Sequence, residues 1–168
     1  VSGNLGDAGL SLRVLQTQRA CAEDLHAVLD ARLHQPEPRV VLGERLRGIA
    51  SAAIDISDGL LADLGHILER SGVGATVWID RLPRSSAFQS CVSLRDAEWF
   101  ELPLAAGDDY ELCFTVAPEQ ADTLEHLARE LTVPITAIGV IEAEPGLRCR
   151  TDDGRDFQPT RQGYEHFD

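Results

Sequence analysis

Lysine and methionine are absent from this 168-residue chain, and aromatic residues make up only 5% of it. Every one of its 15 basic residues is therefore Arg. That excludes any mechanism needing a Lys of this chain, such as a Schiff base or a P-loop lysine. Long apolar runs are also missing: nothing approaches the ~20 residues of a spanning helix, and no signal peptide is visible. Cysteine is sparse, at Cys21, Cys91, Cys113 and Cys149, and no pair has the Cys-x-x-Cys spacing of a zinc or redox site. Cys113 lies in an apolar run, where a thiol acts as a small hydrophobe. The expectation is four structural thiols in a reducing cytoplasm. The chain starts Val1-Ser2-Gly3 without an initiator Met, as a trimmed start or a piece of a longer protein would.

What is present is acid. Twenty-eight Asp and Glu give a formal net charge of −13. Such a chain repels phosphate backbones and anionic bilayers, so neither nucleic acid nor membrane is an expected partner. Divalent cations and cationic ligands are its natural counterparts. With 43% hydrophobic and 26% charged residues the composition is globular. A chain of this length forms one domain and can bury roughly 70% of its unfolded surface.

Periodicity organises the chain. Asp7 to about Leu33 reads as a helix with Leu25, Val28, Leu29 and Leu33 on one stripe. Gly3, Gly6 and Gly9 mark a flexible or closely packed approach, and Pro36 and Pro38 break the pattern. A short helix is expected over Val40 to Leu46, and a buried strand over Ser51 to Ile56. Leu60, Leu61, Leu64, Ile67 and Leu68 give a strong helical face that Gly72 and Gly74 end. Val73 to Ile79 alternates as a strand, and Pro83 opens a loop with short helices through Phe100. Strands follow at Tyr110 to Val116 and Ile135 to Ile141, around a helix begun by Pro118. Leu147 to Phe157 reads as a small hairpin about Asp153-Gly154. Helices and strands interleave, but the hairpin argues against a parallel series. The expected class is α+β, a mixed sheet covered by helices.

Chemistry concentrates in three places. Asp55-Ile56-Ser57-Asp58-Gly59 joins a strand end to a helix start. A tight turn there can aim both carboxylates at one point, with the Ser57 hydroxyl beside them. Hard oxygens suit Mg²⁺, and free N–H groups at a helix start suit a phosphate oxygen. The alternative is that Ser57 or Asp58 caps the helix, which leaves Asp55 unexplained. Gly107-Asp108-Asp109-Tyr110-Glu111 is either a charged turn with a local Asp109 hydrogen bond or a site for a cation. The tail Gly163-Tyr164-Glu165-His166-Phe167 is aromatic enough to pack back on the body or to stack on a ligand ring. His26, His34, His66 and His126 show no ligand-like spacing.

Taken together, VSGNLGDAGLSL, SAAIDISDGLLADLGHI, the SGVGA segment, AAGDDYELCFTV and the terminal GYEHF resemble the thiamine-monophosphate kinases. These belong to the superfamily of aminoimidazole-ribonucleotide synthetase and selenophosphate synthetase. The resemblance covers nearly the whole chain. It implies ATP- and Mg²⁺-dependent phosphorylation of thiamine monophosphate to thiamine diphosphate. It implies that residues 1–168 form the C-terminal domain of a two-domain cytoplasmic kinase. That enzyme is a homodimer when intact, and its N-terminal domain, absent here, carries further metal-binding aspartates. The isolated chain is then expected to be inactive. By position, Asp55 and Asp58 match metal ligands, Ser57 a contact to ATP, and Asp108 and Tyr164 contacts to the substrate. The family often has Gly-Glu-Asp where this chain has Gly107-Asp108-Asp109. Two other readings stand beside this one: a superfamily enzyme with another small-molecule substrate, or a module that binds a ligand or metal without catalysis.

Overall fold

A computed structural model describes residues 1–16, 19–161 and 163. Seven helices and six strands are found among them: α1 (Asp7–Leu15), α2 (Glu23–His34), α3 (Val40–Arg45), β1 (Ala50–Asp55), α4 (Leu60–Ser71), β2 (Gly74–Trp78), α5 (Ser86–Cys91), α6 (Glu98–Ala105), β3 (Leu112–Val116), α7 (Ala121–Leu131), β4 (Gly139–Glu142), β5 (Gly146–Arg150) and β6 (Asp156–Phe157). The class is α+β, as expected. The four-stranded sheet runs β4-β2-β5-β6. It is mixed, because β2 pairs antiparallel with β4 and parallel with β5. The β5–β6 hairpin is antiparallel. β1 and β3 form a separate two-stranded antiparallel ladder.

The best helix of the sequence is also the centre of the core. α4 buries Leu60, Leu61, Leu64, Ile67 and Leu68, spaced as a helical stripe requires. It stops at Gly72, whose φ of 64° is left-handed, and Val73 N–H closes the end by donating to the Leu68 carbonyl at 3.2 Å. Its leucines pack with Ala75 and Val77 of β2, Ile79, Leu104, Cys113, Ile138 and Cys149. Each buried leucine contributes about 1.5–3 kcal/mol. A second cluster joins Leu10 of α1, Leu29 of α2, Ala87, Phe88, Val92 and Leu102. A third gathers Leu42, Leu46 and Leu127 around Leu112 and Phe114.

Four expectations need correction. The helix expected from Asp7 to Leu33 is two helices, α1 and α2, packed on each other. The polar stretch after Leu15 gives no apolar stripe for one helix to continue on. The strand expected over Ser51 to Ile56 is half-exposed rather than buried: Ser51, Ala53 and Asp55 face outward. The strand expected from Ile135 shrinks to Gly139–Glu142, and Ile135 makes only an isolated bridge to Ser2. Finally, the four cysteines are not all free. Cys21, just before α2, and Cys91, at the end of α5, are joined by a disulfide across 70 residues, while Cys113 and Cys149 are buried thiols. The packing of α2 against α5 brings the pair together, and no sequence spacing announces it.

Phe88 is fully buried and meets Trp99 edge-on, with ring centroids 6.1 Å apart. Phe88→Ala is expected to lower stability by about 3–5 kcal/mol. The loss is read as a fall in the urea midpoint at unchanged slope.

Candidate functional site

The two acidic turns singled out in the sequence lie side by side. The ladder of β1 with β3 pairs Asp55 with Leu112 and continues past the strands as main-chain hydrogen bonds. Ile56 N–H donates to the Glu111 carbonyl at 2.8 Å, Tyr110 N–H to the Ile56 carbonyl at 2.9 Å, and Asp108 N–H to the Ser57 carbonyl at 2.9 Å. Gly107 permits this approach. Its φ is +72°, and a side chain there would put a Cβ 2.6 Å from the Ser57 carbonyl oxygen. Gly163 lies at the same place, since a Cβ on it would be 2.7 Å from Ala62 Cβ and 3.2 Å from the Asp58 carbonyl oxygen. Tyr164 itself lies outside the described residues.

The carboxylates divide into exposed and buried sets. Asp55 and Asp108 are exposed, and Asp58 and Ser57 are half-buried. Asp109 and Glu111 are buried and fully engaged. Asp109 accepts from Gly6 N–H at 3.0 and 2.9 Å through its two oxygens, not from its own turn. Burial pushes its carboxyl well above the ordinary value, against the pull of that hydrogen bond. Glu111 accepts from Ser2 Oγ at 2.7 Å, from Arg32 at 2.8 Å, and from Arg39 through both oxygens at 2.7 Å. Burial alone would raise it, but the hydrogen bonds from Arg39, Ser2 and Arg32 together hold it below its ordinary value. The acidic turn therefore offers Asp108, not all of its charge, to a ligand.

The turn between β1 and α4 also differs from expectation. Neither Ser57 nor Asp58 caps α4; Gly59 is the N-cap residue, with no side-chain cap. The N–H groups of Ser57, Asp58 and Gly59 are not free for a phosphate. All three donate to Asp63 Oδ2, at 2.9, 3.1 and 3.1 Å. An acid in the first turn of a helix was the available signal for Asp63. Arg32, Arg39, Ser2 and Gly6 carried no local signal, because their partners are 72 or more residues away.

Among the described residues, no group of three or more His, Cys, Asp and Glu side chains is placed to hold a metal ion. Asp55 and Asp58 nonetheless offer two hard carboxylates at one strand end. That donor set fits Mg²⁺, which binds through one or two carboxylates and fills its octahedron with water and phosphate oxygens. No helix among the described residues is long and apolar enough to cross a membrane.

Residues 2–152 match the family model "AIR synthase related protein, C-terminal domain", and the chain belongs to this family. Among individual proteins, it is 42% identical over 170 residues to the thiamine-monophosphate kinase of Salmonella typhimurium, covering 99% of this chain and 51% of that protein. The crystal structure of thiamine-monophosphate kinase from Stenotrophomonas maltophilia superposes with a TM-score of 0.83 at 46% identity, over 89% of this chain and 48% of that one. AaThiL complexed with AMPPCP and TMP superposes with a TM-score of 0.78 at 31% identity, over 99% of this chain and 50% of that one. The chain thus spans about half the length of the relatives it matches.

Glu111 yields a test with a defined sign. Its carboxyl lies below the ordinary 4.5 when folded, so its stabilisation is present above that value and is lost as pH falls through the lower folded one. Glu111→Gln leaves Arg39, whose side chain is 10% exposed, without its anion. The variant is expected to lose about 3–5 kcal/mol at neutral pH. The gap to the parent protein should narrow below about pH 4.5 in denaturation series run across pH.

Proposed function

We propose that this chain is the C-terminal domain, residues 1–168, of a two-domain kinase that phosphorylates thiamine monophosphate to thiamine diphosphate with ATP and Mg²⁺. The observation that carries this reading is the meeting of both acidic turns and Gly163 around Asp58, in a chain 42% identical to a kinase of that name. A relative of similar fold with AMPPCP and TMP bound supports a nucleotide and a phosphate ester as the two ligands.

In this reading Asp55 and Asp58 hold Mg²⁺, which when bound offsets charge on the nucleotide phosphates. The Ser57 hydroxyl contacts ATP. Its amide does not, being engaged by Asp63. Asp108, exposed at the edge of the paired turns, faces the cationic thiazolium of the substrate. Tyr164 stacks on the thiamine rings; its neighbour Gly163 lies against Asp58 and Ala62. Transfer is direct. The bond from the γ-phosphorus to the β–γ bridging oxygen breaks, ADP leaving with that oxygen, as the acceptor phosphate oxygen bonds the same phosphorus, and catalysis rests on positioning and charge neutralisation. The free thiols are poor rivals as nucleophiles: Cys113 and Cys149 are buried, and burial pushes Cys149 up to about 11. The reading also places the remainder of the metal and nucleotide site in a preceding domain, so this chain alone does not turn over. The whole enzyme is a cytoplasmic homodimer.

The deciding experiment supplies the full-length protein with ATP and thiamine monophosphate and measures thiamine diphosphate. Asp55→Asn and Asp58→Asn should each lower turnover by orders of magnitude with little change in melting temperature, since Asn keeps the size but not the charge a divalent cation requires. Wild-type rates in both variants at limiting Mg²⁺ would falsify the metal assignment.

Tyr164 gives a second, independent check. Loss of a stacking contact is worth about 0.5–1.5 kcal/mol, which is roughly a several-fold to tenfold rise in KM. Tyr164→Ala should raise KM for thiamine monophosphate by that factor and leave KM for ATP unchanged, while Tyr164→Phe stays mild. A tail that only packs on the body gives a lower melting temperature and an unchanged KM instead.

A further inference from the structure

Asp63 is 3% exposed, and one of its oxygens receives three consecutive main-chain N–H groups. Buried charges are normally paired with an opposite charge. Among the described residues Asp63 has no arginine partner; its donors are neutral amides. The positive end of α4 favours a carboxylate here, and its three bonds do more than close the helix: they span the whole Ser57–Gly59 turn.

The turn that Asp63 grips is fixed on its other sides by uncharged contacts. Gly59 has a φ of +123°, and a Cβ there would meet the Ala105 backbone at 3.0 Å. The Ser57 carbonyl is held by Asp108 N–H. Asp63 pulls the amides of residues 57–59 inward, while the side chains of Ser57 and Asp58 remain half-exposed. We propose that Asp63 is a positioning residue for the divalent cation: it sets the conformation of the Ser57–Gly59 turn, and with it the way Asp58 is presented to an ion held by Asp55 and Asp58. This rests on the reading of Asp55 and Asp58 as the ligands.

The test uses full-length protein with Asp63→Asn, Asp63→Ala and, as reference, Asp58→Asn. Three quantities are read: Mn²⁺ binding by electron paramagnetic resonance, the Mg²⁺ concentration giving half-maximal turnover, and amide hydrogen exchange of the segment containing residues 57–59. Residues that orient metal ligands typically cost 10–100-fold in metal affinity when lost. Both Asp63 variants should weaken Mn²⁺ binding and raise the half-saturating Mg²⁺ by a factor in that range. Exchange at residues 57–59 should quicken, and KM for thiamine monophosphate should stay near its parent value. Asp63→Asn, which keeps one acceptor oxygen, should fall between parent and Asp63→Ala. In the parent protein, Mg²⁺ should slow exchange of the same amides, a measurement that stands even if both variants unfold. A lower melting temperature with unchanged metal affinity, or no effect of Mg²⁺ on exchange in the parent, overturns the proposal. If Asp58→Asn weakens Mn²⁺ binding and Asp63→Asn does not, the positioning role alone fails. If neither does, the ligand assignment fails with it.

Discussion

Three main-chain hydrogen bonds, between residues 56–57 and residues 108–111, force two acidic turns against each other. The rest of this half of the molecule is organised around the charge that results. Left alone, carboxylates at this density would ionise poorly or push the turns apart. Each buried one has its own remedy. Glu111 is met by two arginines and a serine hydroxyl, Asp109 by the Gly6 amide, and Asp63 by three amides of the neighbouring turn. Asp55 and Asp108 remain exposed, and Asp58 half-buried. The buried acids build the frame on which the other three stand.

The opening segment of the chain is part of that frame. Ser2 N–H donates to the Leu112 carbonyl at 3.0 Å, and Ser2 Oγ accepts from Leu112 N–H at 2.8 Å while donating to Glu111. Gly3 N–H reaches the Pro134 carbonyl, and Leu5 N–H the Pro83 carbonyl. Gly3, with a φ of +56°, has no room for a side chain, because a Cβ would overlap the Glu111 carboxylate. The glycines that read in sequence as a flexible or closely packed approach are the second of these. They let backbone come close enough to acid for N–H groups to replace water around it.

How much of this was legible in the sequence follows the range of each interaction. α4 was readable because five apolar residues on one stripe and a terminal glycine are local facts. The β5–β6 hairpin was readable from its turn residues. The break between α1 and α2 was not read, because no proline or glycine marks it. At the site, the acidic turns stood out as strings, but which acids were buried did not. Asp108 and Asp109 are neighbours of the same type, and only the fold separates an exposed ligand candidate from a carboxyl tied to Gly6, 103 residues away. The pairing of Cys21 with Cys91, and of Arg39 with Glu111, is hidden for the same reason.

The absence of lysine acquires a structural sense at Glu111. A carboxylate with no solvent exposure has about four lone-pair positions to fill. Arg39 fills two of them with one rigid fork, its Nε and Nη2 each 2.7 Å from a different oxygen. Arg32 adds an end-on bond at 2.8 Å and Ser2 a fourth at 2.7 Å. An ammonium group is a point donor on a flexible stem and cannot span both oxygens with the same fixed geometry. Lysine at position 39 would leave one of the four lone-pair positions unfilled, in a place closed to water. Because Glu111 N-terminally adjoins β3 and its carbonyl accepts from Ile56, any shift of its side chain is passed to the bonds that align the two turns. The guanidinium fork therefore acts at a distance on Asp58 and Asp108. It fixes where these two acids stand by removing freedom from the buried one.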